Sequence, residues 1–255
     1  MKMCKKGVWV ISKKNLDMQV FWVNVGPDGQ AWLDENETRH CQKVLRHQVG
    51  DEVHTIDGKG NYHLARILGY GQRQTQLQIL ETQVDWGEHG GEITLGVSPL
   101  RLKDRFEWLI EKAVELGVNA IVPLRCARTD PYKARFKPDR LHTLMIVALK
   151  QCKRSRLPQL HPLVDYRDWV ATLSPTSPSF IAHCEAQAPF FPLLTDLPSP
   201  PRLHLLIGPE GDFTPEEVQL AEQRGVHSVA LGYNRLRTET AALHALSLIK
   251  CAHSY

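Results

Sequence analysis

The chain has 255 residues, of which 42% are hydrophobic and 23% charged, and its formal net charge is +3. This length accommodates one large or two modest domains, and we predict two. No apolar run reaches the roughly 18 residues that a membrane span needs, and the apolar stretch after Lys5 and Lys6 is too short for a signal peptide. The cysteines are scattered, without a CxxC pair or the spacing of a zinc site. We therefore expect a soluble, cytoplasmic protein with reduced thiols and no metal.

The first predicted elements are strands, and they follow residues 1–18, which have no clear period and which we interpret as a mobile extension. Apolar residues from Gln19 onward predict a strand, and Gly26–Gly29 predicts a turn of the Pro-Asp-Gly kind. The residues after the turn predict a returning strand, so a hairpin opens the domain. Glu35–Arg46 then predicts a short helix that carries cationic side chains.

Further short strands follow this helix. Two strands surround Asp57-Gly58, and Thr75–Leu80 predicts another with alternating character. Several short strands at this spacing indicate a small β-barrel, which we assign to residues 19–82. The glycines of residues 83–91 indicate a linker.

Residues 92–255 alternate between strands and helices, which is typical of an α/β domain. Ile93–Val97 predicts the first strand. The amphipathic helix after it ends at Gly117, and its predicted inner face consists of Phe106, Leu109, Ile110 and Ala113. A long helix over Asp139–Arg154 has a basic end, and its predicted inward-facing residues are Leu141, Leu144, Met145, Val147 and Ala148.

The sharpest signal is a strand, a glycine-containing loop and a helix in succession near the carboxyl end. The apolar strand Leu203–Ile207 leads into the sequence GPEGD. Thr214 is a suitable helix N-cap, Pro215 suits the first helical position and Glu217 completes a capping box. Gly225 is expected to end the helix in a left-handed conformation.

A second junction repeats this design, with a strand at Ser228–Leu231, a loop at Gly232–Arg237 and a helix at Thr238–His253. Loops that follow parallel strands form crevices, and open α/β sheets bind ligands in such crevices. Glycine lets the backbone approach a ligand closely. The two loops therefore predict a ligand site.

This site is not expected to hold a nucleotide phosphate. The first loop is not a P-loop, because no Lys followed by Ser or Thr comes after Gly211, and it lacks the GxGxxG pattern. The acidic side chains of Glu210 and Asp212 would repel a pyrophosphate. A ligand without phosphates fits better.

Four stretches resemble motifs of the RsmE family: IGPEGDFTPEEV, LGYNRLRTETAAL, RLKDRFEWLIEKAVELGVNAIVP and RHCQKVLRHQVGDEVHTIDGKG. Members of this family are S-adenosylmethionine-dependent methyltransferases of the SPOUT class that methylate N3 of a uridine in small-subunit (16S) ribosomal RNA. The resemblance covers most of residues 19–253. It implies an α/β fold, in which a SPOUT-type methyltransferase domain with a C-terminal trefoil knot occupies residues 92–255. A small PUA-like β-barrel that binds RNA would precede it, at residues 19–82.

The resemblance also implies where S-adenosylmethionine binds. We expect the loops Ala182–Glu185, Ile207–Asp212 and Leu231–Arg237 to enclose the cofactor, with apolar walls and backbone hydrogen bonds for the adenine. The predicted cofactor-binding residues are Ala182, His183, Cys184, Leu206, Ile207, Gly208, Pro209, Glu210, Gly211, Leu231, Gly232, Asn234, Leu236, Arg237, Thr240 and Ala241.

The expected reaction requires that N3 of uracil lose its proton, which calls for a base or for stabilisation of the anion. We expect Arg237 to stabilise charge on the uracil oxygens. Glu239 is the candidate base, and its position at a helix start equally suits a capping or structural acid. His183 and His244 are weaker candidates, and His244 is expected to be packed inside the protein.

The stretch from Arg125 to Arg156 contains ten Lys or Arg residues against two Asp residues. This excess favours a phosphate-backbone partner over a solvated helix face. The predicted RNA-binding residues are Arg39, Lys43, Arg46, Arg125, Arg128 and Arg154. The implied partner is ribosomal RNA or the small ribosomal subunit. The family also implies a homodimer, for which the small apolar residues Ala241, Ala242 and Ala245 suit a close helix contact.

The chain departs from the family pattern in two places. The family begins with an arginine beside aromatic residues, and this chain has Gln19–Val23 there. The basic stretch Ala148–Ser155 replaces an acidic, glutamine-containing one, of which Gln151 and Arg154 are left. Two alternatives stay open: a SPOUT methyltransferase that acts on tRNA or another RNA, and a non-catalytic RNA-binding module of the same fold.

Overall fold

The computed structural model describes residues 18–132, 135–174 and 176–253. The mobile extension predicted for residues 1–18 lies, except for its last residue, outside the described residues. No helix within the described ranges is both long enough and apolar enough to cross a membrane.

The chain forms two compact units. The first contains the residues up to Glu88 together with Leu149–Leu157. The second contains His89–Ala148 and the residues from Pro158 onward. Residues 149–157, which begin with the last turn of a long helix, therefore pack with strands that precede them by many residues in the sequence.

The first unit is built on a sheet of six strands and one short helix. Its elements are β1 (Val20–Trp22), β2 (Asn24–Val25), β3 (Ala31–Leu33), α1 (Glu35–Arg39), a π-helical turn (His40–Val44), β4 (Glu52–Ile56), β5 (Asn61–Tyr70) and β6 (Thr75–Val84).

This sheet closes on itself as a small barrel. Its strand order is β1-β4-β5-β6-β3-β2, so β1 and β2 form opposite edges. Only Val23 separates these two strands, and its N–H donates to the carbonyl oxygen of Ile56 at 2.9 Å. One continuous segment therefore supplies both edges. The interior of the barrel is filled by Phe21, Val23, Ala31, Leu33, Cys41, Val53, Ala65, Ile67 and Leu77.

The predicted hairpins of this unit are confirmed. β2 pairs with β3, and β4 pairs with β5, both antiparallel. The helix predicted over Glu35–Arg46 is shorter and changes type, because α1 ends at Arg39 and the chain continues as a π-helical turn. The carboxylate of Asp34 caps α1 by accepting the N–H of Glu37 at 2.9 Å. The buried residues of this segment are Thr38 and Cys41, which lie three positions apart.

Most of the residues predicted as a linker, those up to Glu88, take part in the first unit's structure. Strand β6 extends to Val84, and the carboxylate of Glu88 accepts the N–H of Ser155 at 3.0 Å and that of Arg156 at 2.8 Å. The guanidinium of Arg154 donates to the other oxygen of Glu88 at 2.9 Å. These bonds join residues 85–88 to residues 154–156 within the unit.

The second unit is an α/β domain with a seven-stranded sheet, in which each strand pairing is parallel. The sheet has the order β10-β8-β7-β12-β11-β13, and β9 also pairs with β8. The elements are β7 (Glu92–Val97), α2 (Lys103–Glu115), β8 (Ala120–Arg125), α3 (Pro138–Cys152), β9 (Gln159–Leu160), β10 (Val164–Asp165), α4 (Tyr166–Thr172), β11 (Ser179–Ala182), α5 (Phe190–Thr195), β12 (Arg202–Ile207), α6 (Pro215–Gln223), β13 (His227–Val229) and α7 (Thr238–His253).

The central strands of this sheet are continuous apolar runs because both of their faces are covered. All four residues of β11 are buried, as are the last three of β12. Gly96 in β7 allows close packing, since a Cβ atom there would lie 2.5 Å from the ring of Trp169. Because the strands are parallel, β7, β12, β11 and β13 end at the same edge of the sheet.

The helices of the second unit largely follow the predicted patterns. Helix α6 has the predicted capping box, in which Thr214 and Glu217 hydrogen-bond reciprocally, and Gly225 follows it with a φ of 79°. The predicted inner face of α2 is buried. Val147 of α3 was predicted to face the core, and this is wrong because it is 55% exposed. Met145 is buried, as predicted.

Candidate functional site

A cavity of about 780 Å³ lies at the edge of the second unit where the strands end. It is lined by the loops that follow β7, β11, β12 and β13 and by the start of α7. The three predicted loops are therefore brought together. The predicted cofactor-binding residues that line the cavity are Ala182, His183, Cys184, Ile207, Gly208, Pro209, Glu210, Gly211, Leu231, Gly232, Asn234, Leu236, Arg237 and Ala241.

Two predicted cofactor-binding residues do not line the cavity. Leu206 is fully buried in a core cluster with Leu124, Ile181 and Phe213. Successive side chains of a strand point to opposite faces, so Leu206 and its neighbour Ile207 cannot both face the same space. Thr240 is exposed on α7 and is absent from the cavity lining.

The cavity floor, which we define as Ala182, Ile207, Gly208 and Pro209, is buried and mostly apolar. Gly208 lies close to Phe213: a Cβ atom on Gly208 would stand 3.1 Å from the ring. The absence of that side chain leaves backbone atoms as part of the floor. Backbone N–H and C=O groups are strong hydrogen-bonding groups, so this floor suits an apolar ligand with polar edges.

Asp212 connects two of the loops. One carboxylate oxygen accepts the N–H of Cys184 at 2.9 Å, and the other accepts the N–H of Phe213 at 2.8 Å. The φ of Asp212 is 65°, a left-handed conformation that Asp tolerates better than most residues. The pKa of the Cys184 thiol is raised by burial and by its hydrogen bond with Asp212, which favours the protonated thiol.

Glu210 and Arg128 hold the glycine loop from either side. The carboxylate of Glu210 accepts the N–H of Arg101 at 2.9 Å. The guanidinium of Arg128 donates to the carbonyl oxygen of Gly211 at 2.7 Å and to that of Phe213 at 3.4 Å. Arg128 was predicted to bind RNA, but it lines the cavity and hydrogen-bonds the loop backbone.

The capping box of α6 continues this network. One oxygen of Glu217 accepts the N–H of Thr214 at 2.9 Å, and the other accepts the N–H of Ala127 at 2.7 Å. Glu217 is only 5% exposed. The loop after β8, which carries Ala127 and Arg128, is thereby fixed to the start of α6.

The exposed side of the cavity is cationic. The cavity rim, which we define as Leu102, Tyr233, Arg235 and Arg237, consists of exposed residues that line the cavity. Three of them belong to the loop after β13, in which Gly232 has a φ of 133° that only glycine adopts readily.

The two candidate catalytic residues, Arg237 and Glu239, both line the cavity. Glu239 is 7% exposed, and its carboxylate lies 3.4 Å from the guanidinium of Arg105 on α2. Sequence reasoning missed Arg105, which also lines the cavity. The ion pair joins the start of α7 to α2 and holds the Glu239 carboxylate within the cavity lining, so the geometry suits both the structural and the base role.

The two histidine candidates differ in position. His183 lines the cavity, and its buried Nε2 has no hydrogen-bond partner among the described residues. His244 is exposed on α7 and lies outside the cavity lining, so the prediction that it is packed inside is wrong. His183 is therefore the better placed of the two.

The predicted RNA-binding cations other than Arg128 fall into two groups. Arg39, Lys43, Arg46 and Arg125 are exposed. Arg154 is 4% exposed and pairs with Glu88, so the prediction that it binds phosphates is wrong.

The basic stretch is also less basic than its sequence indicates. Acidic residues that are distant in sequence pair with several of its cations: Glu107 with Arg140, Glu37 with Lys150, and Asp85 with Arg156.

The small residues proposed for a helix contact with a second subunit are largely used within the chain. Ala242 and Ala245 have no exposed surface, and Ala241 lines the cavity. A second copy cannot pack against side chains that are already covered, so the prediction is wrong for Ala242 and Ala245.

Other cavity residues were not predicted. Leu100 and Leu102 follow β7, and this strand was recognised in the sequence. The missing information was the strand order, which places β7 beside β12. Tyr233 and Arg235 lie inside a predicted loop, and their occurrence at alternate positions with Arg237 was the available signal.

Comparison with known proteins defines the class of protein to which this fold and site belong. A family model for the RNA methyltransferase domain matches residues 88–250. Ribosomal RNA small subunit methyltransferase E of Bacillus subtilis (strain 168) is 29% identical over 226 residues, which are 84% of this chain and 86% of that protein. The protein of the same name from Synechocystis sp. is 30% identical over 221 residues, which are 85% of this chain and 71% of that protein.

A solved structure agrees with these relatives. The crystal structure of a ribosomal RNA small subunit methyltransferase E from Neisseria gonorrhoeae, bound to S-adenosylmethionine, has a TM-score of 0.79 and 29% sequence identity. The similarity covers 92% of this chain and 98% of that one. The class is therefore that of an RNA methyltransferase. Within this class the chain belongs to the RsmE family, as the sequence motifs indicate.

Proposed function

We propose that this protein transfers a methyl group from S-adenosylmethionine to N3 of a uridine in small-subunit (16S) ribosomal RNA. The observation that carries the proposal is the cavity at the carboxyl edge of the parallel sheet, where a buried floor adjoins an exposed cationic rim. Family membership supplies the reaction class. The names of the similar proteins support the small-subunit RNA as substrate.

The residues of the cavity fit S-adenosylmethionine. The buried floor offers apolar surface and backbone groups to an adenine, and the volume of about 780 Å³ is within the range of pockets for small ligands. The acidic side chains of Glu210 and Asp212 disfavour a phosphate but tolerate a cation. The cofactor supplies an activated methyl group on a positively charged sulfur.

The residues around the reacting base position it and manage its proton. Arg237 donates hydrogen bonds to the uracil oxygens, which stabilises the negative charge that develops when N3 loses its proton. Glu239 lies within the same lining and accepts that proton, and Arg105 orients its carboxylate at 3.4 Å. Positioning contributes much of the rate, since the methyl group is already activated.

The RNA presents its uridine in a single-stranded or extruded form, because N3 is covered in a base pair. In the first unit, which we propose to be a PUA-like domain, the exposed cations Arg39, Lys43 and Arg46 contact phosphates. Arg125 does so in the second unit. The protein acts in the cytoplasm, where ribosomal RNA is matured.

We further propose that the second unit is a SPOUT domain with a C-terminal trefoil knot, and that the protein is a homodimer. Supporting both proposals is membership of the RsmE family.

The proposal is tested with RNA from cells that lack this protein. The purified protein is incubated with labelled S-adenosylmethionine and either small-subunit RNA, intact small subunits or total tRNA, and the nucleosides are then analysed by mass spectrometry. We expect 3-methyluridine in small-subunit RNA, whether free or in the intact subunit, and none in tRNA. Label in tRNA would favour the tRNA-directed alternative, and cofactor binding without transfer to any RNA would contradict the enzymatic proposal.

A further inference from the structure

The cavity rim exposes an aromatic ring beside cations. The Tyr233 side chain is fully exposed although it lines the cavity, and Arg235 and Arg237 follow it at alternate positions. Aromatic side chains accompanied by arginine are typical of sites that bind single-stranded nucleic acid.

The cavity extends from a buried floor to an exposed rim, and its volume is about 780 Å³. The buried floor, with Ala182 and Ile207, suits the cofactor, as argued above. The exposed rim is then available to a nucleotide that enters from solvent.

The rim carries cationic side chains, whereas the floor carries none. Arg105, Arg235 and Arg237 line the same cavity, and Arg105 alone of these pairs with a cavity carboxylate in the described structure, that of Glu239. A guanidinium can bind a phosphate through two parallel hydrogen bonds. The rim therefore combines a surface for a base with donors for a phosphate.

We propose that Tyr233 stacks on the extruded target uridine and that Arg235 binds the phosphate of the same nucleotide. This inference rests on the proposed function, and it makes Tyr233 a substrate-binding residue that acts before methyl transfer. Stacking uses the face of the base, so it leaves the N3 edge open to Arg237 and Glu239. The phenol hydroxyl has no part in this contact.

The first test measures steady-state methylation of small-subunit RNA at saturating S-adenosylmethionine. We expect Tyr233→Ala to lower kcat/KM for the RNA by roughly tenfold or more, because base stacking on an aromatic ring contributes strongly to single-strand binding. Tyr233→Phe keeps the ring and should retain wild-type kcat/KM. The matched control is Tyr132→Ala, which removes a 79% exposed tyrosine outside the cavity lining.

The cofactor affinity gives a second readout. The Kd for S-adenosylmethionine, measured by calorimetry, should be unchanged in Tyr233→Ala and Arg235→Ala. A loss of cofactor binding in Tyr233→Ala would mean that the ring serves the floor ligand, and it would overturn the proposal. For Arg235→Ala, the slope of RNA affinity against salt concentration should fall by about one phosphate contact.

A double-mutant cycle tests the partner of the ring directly. The affinity of wild type and Tyr233→Ala is measured for the RNA with the target uridine and for the same RNA with an abasic site there. If the ring stacks on that base, the two proteins bind the abasic RNA equally. An equal loss with both RNAs would show that the ring contacts something else, and would overturn the proposal.

The failure of this inference is distinguishable from that of the proposed function. If wild type does not methylate the RNA, the proposed function fails and this inference falls with it. If wild type is active and Tyr233→Ala is equally active, only the inference about Tyr233 is overturned.

Discussion

Arg128 offers a sharp test of how the cofactor loop is held. The residue lies in a basic stretch, but its guanidinium donates to the carbonyl oxygens of Gly211 and Phe213 at 2.7 and 3.4 Å. Its aliphatic carbons also pack closely there, since a Cβ atom on Gly211 would lie 3.2 Å from them. We expect Arg128→Ala to free the loop and weaken S-adenosylmethionine binding.

The expected rise in Kd follows from the hydrogen bonds that Arg128→Ala removes. A hydrogen bond from a charged donor contributes about 1.5–3 kcal/mol, and the lower end applies because the side chain is exposed. A loss of about 1.4 kcal/mol raises a Kd tenfold. We therefore expect a Kd for S-adenosylmethionine about ten times higher, with the stability of the fold nearly unchanged.

Isothermal titration calorimetry of the purified protein measures this change. Arg128→Lys keeps the charge without the planar fork and should recover only part of the affinity. The matched control is Arg125→Ala, which removes an exposed cation at the end of β8, three residues before Arg128, and should leave cofactor binding unchanged. Wild-type cofactor affinity in Arg128→Ala, together with weakened RNA binding, would refute the reasoning and restore Arg128 as an RNA ligand.

Three further predictions concern other parts of the structure. Glu239→Gln should lower the methylation rate at saturating substrates by about 10²–10⁴-fold without changing the cofactor Kd, and wild-type rates would exclude it as the base. Gly232→Ala should weaken cofactor binding several-fold, because a φ of 133° is strained by about 1–3 kcal/mol in other residues; calorimetry with unchanged affinity would contradict this. Arg154→Ala should destabilise the fold by about 3–5 kcal/mol in chemical denaturation, since it leaves buried Glu88 without its cation. A stable Arg154→Ala protein that binds RNA less tightly would contradict this assignment.

Local signals in the sequence were sufficient for much of the second unit. The capping box at Thr214 and Glu217, the glycine after α6 and the spacing of apolar residues in α2 act over a few residues each, and the structure confirms them. The strand-loop-helix junctions were visible for the same reason. Since parallel strands end at one edge, these junctions also predicted that the loops meet.

Most of the errors concern interactions between residues that are far apart in sequence. The basic stretch contains Arg154, whose partner Glu88 precedes it by 66 residues. Charge counting along the chain cannot detect such a pair. Arg105 and Glu239 are 134 residues apart, so their ion pair was equally invisible. Leu206 was assigned to the cavity by its position in a motif, although the alternation along β12 points it into the core.

The central claim, that the cavity at the carboxyl edge of the parallel sheet binds S-adenosylmethionine, is tested by calorimetric titration of wild type and of Leu231→Trp. Leu231 lines the cavity and is partly exposed, so a larger side chain there fills the space without entering the core. We predict that wild type binds one cofactor per chain and that Leu231→Trp, with an unchanged circular dichroism spectrum, does not bind it. No binding by wild type, or equal binding by the folded variant, would contradict the account.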